Sequence, residues 1–315
     1  MQKIIQIMML YNKFSDILRQ KFGERVQKIS INGNFTCPNR DGKVGFGGCT
    51  YCNNQSFLPE YCQPQKSVLQ QIEQGIDFFK KYESQKYIAY FQSYTNTYGD
   101  FDSLKNTYEQ ALSHPKVIGL AIGTRPDCVD ENLLDYFAEL SQKYFVMLEY
   151  GVESTDNETL KKINRGHSYE KSVWAITETA KRKIEVGAHL ILGLPNENRE
   201  KIISHAKKIS ELPLNSLKLH QLQIVKDTAM AQDFKQNPAD YHIFTLEEYI
   251  DLLIEFIENL NPKIALERFV SQSPAGFVLA PAWGIKNYQF TAKLEKIMRQ
   301  RGNFQGAVSH ISHMF

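Results

Sequence analysis

The regular alternation of strand-like and helix-like segments is the feature that most constrains the fold of this chain. Six apolar or β-branched runs occur in order, and a segment with helical periodicity follows each of them before the next. Such succession implies parallel strands joined by right-handed crossovers. The sequence therefore predicts an α/β fold built on a partial (β/α)6 parallel barrel. The six runs are VQKISI (26–31), YIAYFQ (87–92), VIGLAIGT (117–124), FVMLEY (145–150), VGAHLILGL (186–194) and SLKLHQLQI (216–224).

Helix boundaries are marked by capping signals. Asp130 is the predicted N-cap of one helix, and Thr155 with Glu158 and Thr245 with Glu248 have the form of capping boxes. The predicted helices span 67–82, 101–112, 130–143, 199–211, 245–260 and 286–300.

The character of the chain changes beyond residue 232. The segment DFKQNPADYHI is polar and predicts a loop, residues 264–270 predict a further strand, and residues 274–284 predict irregular structure. We expect two units, a core over residues 20–232 and a C-terminal α+β extension over 233–315 that packs on it.

A cysteine-containing loop, residues 34–56, follows the first predicted strand, and loops in that position carry the chemistry of such folds. Cys37, Cys49 and Cys52 are spaced C-x11-C-x2-C, and the Gly, Asn, Asp and Pro between them cannot hold a regular helix. Cysteine thiolates bind iron–sulfur clusters, and three of them leave one iron of a cubane open to an outside ligand. A zinc site completed by Cys62 remains open on spacing alone, but a zinc ribbon does not need six βα units.

Composition narrows the class of protein. A net charge of +2 over 315 residues gives no strong attraction to nucleic acid or acidic lipid. Five cysteines, three of them in one loop, argue against a secreted disulfide framework. The opening MQKIIQIMML lacks the features of a signal peptide, and no run is long enough to span a bilayer. We therefore expect a soluble, cytoplasmic protein.

The ordered series of motifs resembles the radical S-adenosylmethionine (SAM) superfamily, in particular the YhcC/YtqA-like subgroup related to the Elongator catalytic subunit. The resemblance extends from about Phe22 to Gly306. Most of the superfamily spaces its cysteines C-x3-C-x2-C, whereas the long first gap found here is typical of this subgroup. The motifs that carry it are CPNRDGKVGFGGCTYC, LEYGVES, KKINRGHSYE, HLILGLP and RFVSQSPAGFVLAPAWGIKN.

This resemblance implies a partial barrel of the radical SAM type with a [4Fe–4S] cluster on Cys37, Cys49 and Cys52. SAM would chelate the fourth iron. An electron from a low-potential donor of the ferredoxin or flavodoxin type would cleave SAM to methionine and a 5′-deoxyadenosyl radical, which abstracts hydrogen from the substrate. The physical requirements agree, since such a cluster needs soft ligands and shielding and the cofactor carries the hard chemistry.

Five further residues match SAM-contacting positions of related enzymes such as oxygen-independent coproporphyrinogen dehydrogenase. Tyr51 matches an aromatic beside the adenine or one that shields the cluster. Thr95 matches a contact to the SAM amino group, although QSYTNT lacks the paired glycines usual there. Glu153 matches a residue near the ribose or methionine, or it caps the next helix. Arg165 matches the partner of the SAM carboxylate, or it is a surface arginine that needs no partner. His189 matches a ribose contact or is a satisfied core histidine.

The substrate is not legible in the sequence. The Elongator branch modifies tRNA, so the resemblance makes tRNA the first candidate substrate. The final helix carries Lys286, Lys293, Lys296, Arg299 and Arg301, which predict a phosphate-binding face or an ordinary solvated one. Two alternatives stay open, a cluster- and SAM-binding protein without turnover and a zinc-stabilised nucleic-acid-binding module. The orientation of Glu149, toward the barrel interior or the helices, and the oligomeric state are undetermined.

Overall fold

The structure, a computed structural model, describes residues 9–53, 59–81, 85–271, 273 and 276–308. Its main element is a sheet of seven parallel strands whose spatial order follows the chain. The strands are β1 (Arg25–Ile31), β2 (Gln85–Phe91), β3 (Val117–Thr124), β4 (Phe145–Glu153), β5 (Glu185–Leu192), β6 (Ser216–Gln221) and, after a two-residue strand β7 (Ile224–Val225) outside this sheet, β8 (Ala265–Arg268). The predicted α/β fold is confirmed, and the strand predicted at 264–270 joins the barrel sheet as its seventh member.

Ten α-helices surround the sheet in the described ranges. Three of them, the first, the sixth and the eighth, were not predicted. They are α1 (Phe14–Phe22), α2 (Val68–Phe78), α3 (Phe101–Leu112), α4 (Glu131–Ser141), α5 (Asn157–Lys162), α6 (Tyr169–Lys181), α7 (Arg199–Ser210), α8 (Ala229–Gln236), α9 (Leu246–Glu258) and α10 (Asn287–Arg301). A short strand β9 (Val278–Ala280) pairs antiparallel with β7.

Two capping predictions are confirmed and one is wrong. Asp130 caps α4, and the capping box of Thr245 with Glu248 opens α9. Thr155 does not cap α5, because its hydroxyl is buried against His205 Nδ1 at 2.7 Å. Asp156, one residue later, accepts the N–H of Thr159 instead.

Other predicted helix and strand boundaries differ from those in the structure, at places where the local sequence pattern was ambiguous. The helix predicted over 67–82 ends at Phe78 in α2, and residue 82 lies outside the described residues. The strand predicted over 216–224 divides into β6 and β7. The polar segment that begins at Asp233 is not all loop, since α8 continues to Gln236. Of the stretch predicted irregular over 274–284, residues 278–280 form β9, and residues 274 and 275 are outside the description.

The sheet curls until its first and last strands approach each other. Lys28 Nζ on β1 lies 2.8 Å from Glu267 Oε2 on β8. Helix α1 closes the amino ends of the strands, where its Phe14 and Leu18 pack among residues such as Ile88 and Met147. The barrel interior is therefore apolar at the amino ends, and its cleft opens at the carboxyl ends, where active sites of parallel barrels lie.

The division of the chain at residues 232 and 233 into a core and an extension stays a prediction. The N-terminal segment discussed above lies outside the described residues as far as residue 8. Among the helices that are described, none combines the length and apolar character needed to cross a bilayer.

Candidate active site

One cleft opens at the carboxyl ends of the strands, and every residue predicted for the site lines it. The wall carries the three cysteines of the loop together with side chains from the strands β2, β4 and β5 and the turns that follow them. The predicted residues found there are Cys37, Cys49, Cys52, Tyr51, Thr95, Glu153, Arg165 and His189. Positions spread over more than 150 residues of sequence thus converge on one cavity.

The cysteine loop is irregular through residue 53, as predicted, and it is held in place by the NRGH segment. Asn39 donates from Nδ2 to the carbonyl of Asn164 at 2.6 Å, and Asn164 donates back to the carbonyl of Gly48 at 2.9 Å. The Thr50 N–H donates to the carbonyl of Ile163 at 3.0 Å. These reciprocal bonds fix a segment that has no secondary structure of its own, so the cysteines are positioned before any cofactor binds.

The Cys49 thiol receives two N–H groups, from Asn39 Nδ2 at 3.6 Å and from Arg165 Nη1 at 3.5 Å. Hydrogen bonds to cluster-ligating sulfur are one of the means by which a protein sets cluster potential. The cysteine environment is therefore suited to a charged sulfur–metal centre.

A β-bulge brings Glu153 and Arg165 together beside Cys49. The register of β4 against β5 shifts between Gly151 and Glu153, and Glu153 has φ of 66°, a left-handed conformation that costs a residue with a side chain about 1–3 kcal/mol. Arg165 Nη2 donates to the Gly151 carbonyl at 2.5 Å and lies 3.6 Å from Glu153 Oε1. A Cβ at position 151 would lie 2.5 Å from that Nη2, so a larger residue there would displace the Arg165 guanidinium.

The turn after β2 buries hydroxyl groups and an amide oxygen that have no hydrogen-bond partner among the described residues. Thr95 is fully buried, and its Oγ1 has no hydrogen-bond partner among the described residues. The same holds for Ser93 Oγ and for Asn96 Oδ1. Buried polar groups in native proteins nearly always have partners. A cluster of orphaned atoms beside a cleft therefore indicates a polar ligand.

Tyr51 and His189 occupy different walls of the cleft. The Tyr51 ring packs against an apolar cluster that includes Leu160, Leu194 and Leu222. His189 Nε2 lies 3.2 Å from Glu149 Oε2, and burial lowers the pKa of the imidazole. His189 is therefore both a partnered histidine and a cleft residue.

Below the cleft, the barrel interior contains four charged side chains, here called the ionic layer: Lys28, Glu149, Lys218 and Glu267. Glu149 contacts Lys28 Nζ at 2.5 Å and Lys218 Nζ at 2.6 Å. Burial alone would raise the pKa of Glu149, but the two ammonium groups and His189 hold it well below its usual range. The structure thus answers what the sequence left open: Glu149 faces the interior.

Among the cleft residues that sequence reasoning missed are Arg125, His220 and Arg268. Arg125 is 2% exposed and binds Asp127 with Nε and Nη2 at 2.9 and 2.8 Å, which leaves Nη1 without a described partner. Arg268 Nη2 lies 2.9 Å from His220 Nε2. The polar alternation of Lys218 and His220 within the otherwise apolar run SLKLHQLQI was a readable signal for an interior polar face.

Cys62 and Cys128 lie apart from the cleft lining. The Cys62 thiol donates to the Ser30 carbonyl at 2.7 Å, and burial raises its pKa to about 12. Burial likewise raises the pKa of the Cys128 thiol to about 12. Across the described ranges, no three His, Cys, Asp or Glu side chains converge on one metal ion. A cubane binds each thiolate on a different iron, so cluster ligands need not converge on a single ion.

Comparison with known proteins finds the superfamily that the sequence motifs resemble. Residues 37–209 match the radical SAM superfamily, and residues 214–300 match the radical SAM C-terminal domain. YtqA of Bacillus subtilis is 30% identical over 94% of this chain and 92% of its own length, and YhcC of Escherichia coli K12 is 33% identical over 95% of each chain. A tRNA uridine(34) acetyltransferase of Methanocaldococcus infernus is 25% identical over 59% of this chain and 34% of its own. The structure of an archaeal Elp3 from that organism superposes with a TM-score of 0.65 at 19% identity, covering 89% of this chain and 64% of that one.

The chain belongs to the radical SAM superfamily. It is a radical SAM enzyme whose cofactors are a [4Fe–4S] cluster and SAM, and members of this family generally require a reductant. The predicted resemblance to the YhcC/YtqA-like proteins and to the Elongator branch is confirmed.

Proposed function

We propose that Cys37, Cys49 and Cys52 hold the cluster, that SAM lies across the carboxyl ends of β2, β4 and β5, and that the enzyme abstracts a hydrogen atom from its substrate. The observation that carries this proposal is the convergence of all eight predicted residues on one cleft. That convergence is a property of the folded chain and does not follow from the motif match.

Different cleft residues contact different groups of SAM in this proposal. Arg165 supplies a charged donor for the SAM carboxylate. It is 6% exposed, and its Nε has no hydrogen-bond partner among the described residues. Thr95 supplies an unused hydroxyl for the amino group, and the half-buried Tyr51 ring a flat surface for the adenine. Glu153 and His189 supply polar contacts for the ribose. When bound, the cluster and SAM supply reductive cleavage of the sulfonium and hydrogen-atom abstraction.

The electron donor is a low-potential protein of the ferredoxin or flavodoxin type. The cysteine loop lies at the protein surface, where Phe46 is 79% exposed and Val44 is 48% exposed. Electrons can therefore reach the loop from outside without passing through the barrel.

For the substrate, tRNA is the first candidate. Support comes from the relative named as a tRNA uridine(34) acetyltransferase, which shares 191 aligned residues with this chain. The aligned segment covers only 34% of that relative's length. The identity of the substrate therefore has to be tested separately from the radical SAM chemistry.

The experiment is an anaerobic assay of the reconstituted protein with SAM and dithionite, in which 5′-deoxyadenosine is measured. We expect its formation together with about four iron and four sulfide per chain. Iron and SAM binding without deoxyadenosine would favour the alternative of a binding protein without turnover. Stoichiometric zinc without iron would contradict the proposal as a whole.

A further inference from the structure

The last strand of the sheet carries a β-bulge that turns two consecutive charged residues toward the barrel interior. The register of β8 against β6 shifts between Leu217 and Lys218. Glu267 then contacts Lys218 Nζ at 3.3 Å within the ionic layer, while Arg268 reaches His220 at the floor of the cleft. Bulges next to active sites commonly re-aim side chains in this way.

Arg268 is the one cation of the described barrel interior without a carboxylate partner. Lys28 and Lys218 are matched by Glu149 and Glu267, two ammonium groups against two carboxylates. In the described part of the chain no carboxylate oxygen lies within 4.0 Å of Arg268. Its Nε is buried without a hydrogen-bond partner there, and burial and the Arg268 guanidinium lower the pKa of His220 well below its ordinary value. The neighbouring imidazole is thus neutral.

The other arginines of the cleft differ from Arg268. Arg125 has the carboxylate of Asp127, and Arg165 lies near that of Glu153. At the mouth of the cleft, Arg40 donates to the carbonyl of Cys52 at 2.8 Å. Arg268 is half-buried, and a partly buried charge without a counter-charge still costs free energy, which a ligand of opposite charge would offset.

We infer that Arg268 binds an oxyanion, a carboxylate or a phosphate group, of the substrate at the floor of the cleft. The inference rests on the proposed function only in calling the occupant a substrate. A guanidinium favours such groups because its planar N–H donors match the paired oxygens of both. His220 takes one N–H of Arg268 and leaves the remaining ones for the ligand.

The test uses the full chain without SAM and with inorganic phosphate or acetate as probe, at ionic strength held constant with chloride. Thermal melting and the Nε–H signals of 15N-arginine-labelled protein are followed. We expect one probe to raise the Tm and to shift the Arg268 signal, which is assigned by its disappearance in Arg268→Gln. The variant should bind that probe about ten- to a hundredfold more weakly, as expected for a hydrogen bond to a charged group. Phosphate and acetate distinguish the two sources of the oxyanion.

Arg125→Gln is the matched control, because it removes a buried arginine of the same cleft that already has a carboxylate. It should lower the Tm of the protein without probe and retain the probe response. Arg268→Gln should leave that Tm unchanged or higher, since it removes an uncompensated charge. A probe response lost in Arg125→Gln but kept in Arg268→Gln, or no response to either probe, would overturn the inference.

SAM also carries a carboxylate, so the probes are repeated on cluster-loaded protein with SAM. Independent binding of probe and SAM is expected, and competition would assign Arg268 to SAM and overturn the inference. None of these measurements requires turnover. A protein that binds the probe at Arg268 but forms no deoxyadenosine would contradict the proposed function alone.

Discussion

The ionic layer and the mouth of the cleft both bury polar side chains, but they differ in how completely those side chains are paired. In the ionic layer each charged group has at least one partner of opposite sign within 3.3 Å. Around the cysteine loop and the β2 turn, buried atoms such as Asn39 Oδ1, Thr95 Oγ1 and Arg165 Nε have no partner among the described residues. The two regions lie in one barrel interior.

This difference distinguishes buried polar side chains that stabilise the fold from buried polar side chains that bind a ligand. A satisfied buried network specifies packing, whereas orphaned groups cost free energy until a ligand supplies their partners. Breaking the ionic layer should therefore reduce stability, and changes at the mouth of the cleft should reduce ligand binding with little effect on the fold.

The largest effect should come from the cysteines. Replacing Cys37, Cys49 or Cys52 by Ala should abolish the cluster and deoxyadenosine formation, because each would remove one of only three thiolate ligands. Iron, sulfide and deoxyadenosine are measured after anaerobic reconstitution. Cys62→Ala and Cys128→Ala are the controls and should retain the cluster. A cluster that survives loss of Cys37 but not of Cys62 would mean that the ligand set is wrong.

The second effect concerns the ionic layer. Glu149→Gln should lower the free energy of unfolding by about 3–5 kcal/mol, because it leaves two buried ammonium groups with one carboxylate. Urea unfolding of the cluster-free chain at neutral pH measures it. Glu185→Gln, the same change in the exposed pair with Lys21, should cost at most about 1 kcal/mol. Equal costs would mean that the ionic layer stabilises the fold no more than an exposed ion pair does.

The pH dependence of the same variant sharpens this test. The folded pKa of Glu149 lies below the unfolded value of about 4.3, so its contribution is fully present above that pH. It is lost as the pH falls through the folded pKa. The difference in unfolding free energy between the original protein and Glu149→Gln should therefore be constant above about pH 5 and shrink in more acidic solution. A difference that grows on acidification would contradict the assigned charge state.

The third effect tests the mouth of the cleft. Arg165→Ala should weaken SAM binding by about 2–4 kcal/mol, since the variant leaves the SAM carboxylate without its partner. Arg165→Lys should not restore it, because an ammonium cannot reproduce a bidentate contact. Equilibrium binding of SAM is measured at equal iron content, since Arg165 also contacts Cys49. Unchanged SAM affinity would return Arg165 to a purely structural role.

Much of this architecture could be predicted because the strands are buried on both faces. VIGLAIGT gave the bounds of β3 without error, since a continuous apolar run of that length has few alternatives in an α/β chain. The same property hid the direction of Glu149, because a strand without alternation does not reveal which face is the interior. The prediction that Thr155 caps α5 was wrong for a related reason, because its hydroxyl forms a hydrogen bond with His205, 50 residues away.

The candidate site shows the same contrast between features that local sequence reveals and features that depend on the folded structure. The positions of the cysteine loop, Arg165 and Glu153 in one cleft could be predicted because their motifs are local in sequence. Arg268 was missed because its importance depends on a bulge in β8 and on the carboxylates that the lysines of the ionic layer already occupy. Charge balance of that kind exists only in three dimensions.

The smallest effect concerns RNA and the basic residues of α10. Lys293, Arg299 and Arg301 are already paired with Glu247, Glu295 and Asp251. Glu295 also binds Tyr11 and Lys13, so α10 borders the closed amino ends of the barrel rather than the cleft.

We therefore expect that neutralising Lys293 and Lys296 together changes the salt dependence of tRNA binding by less than about one unit of slope, because Lys293 is paired and α10 borders the amino ends of the barrel, away from the cleft. Binding of bulk tRNA across a salt series measures it. The matched variant neutralises two exposed lysines, Lys43 within the cysteine loop and Lys226 beside it, and should flatten the slope by about one to two units. The reverse order would place RNA on α10, far from the cleft. Absence of tRNA binding at low salt would favour a small substrate.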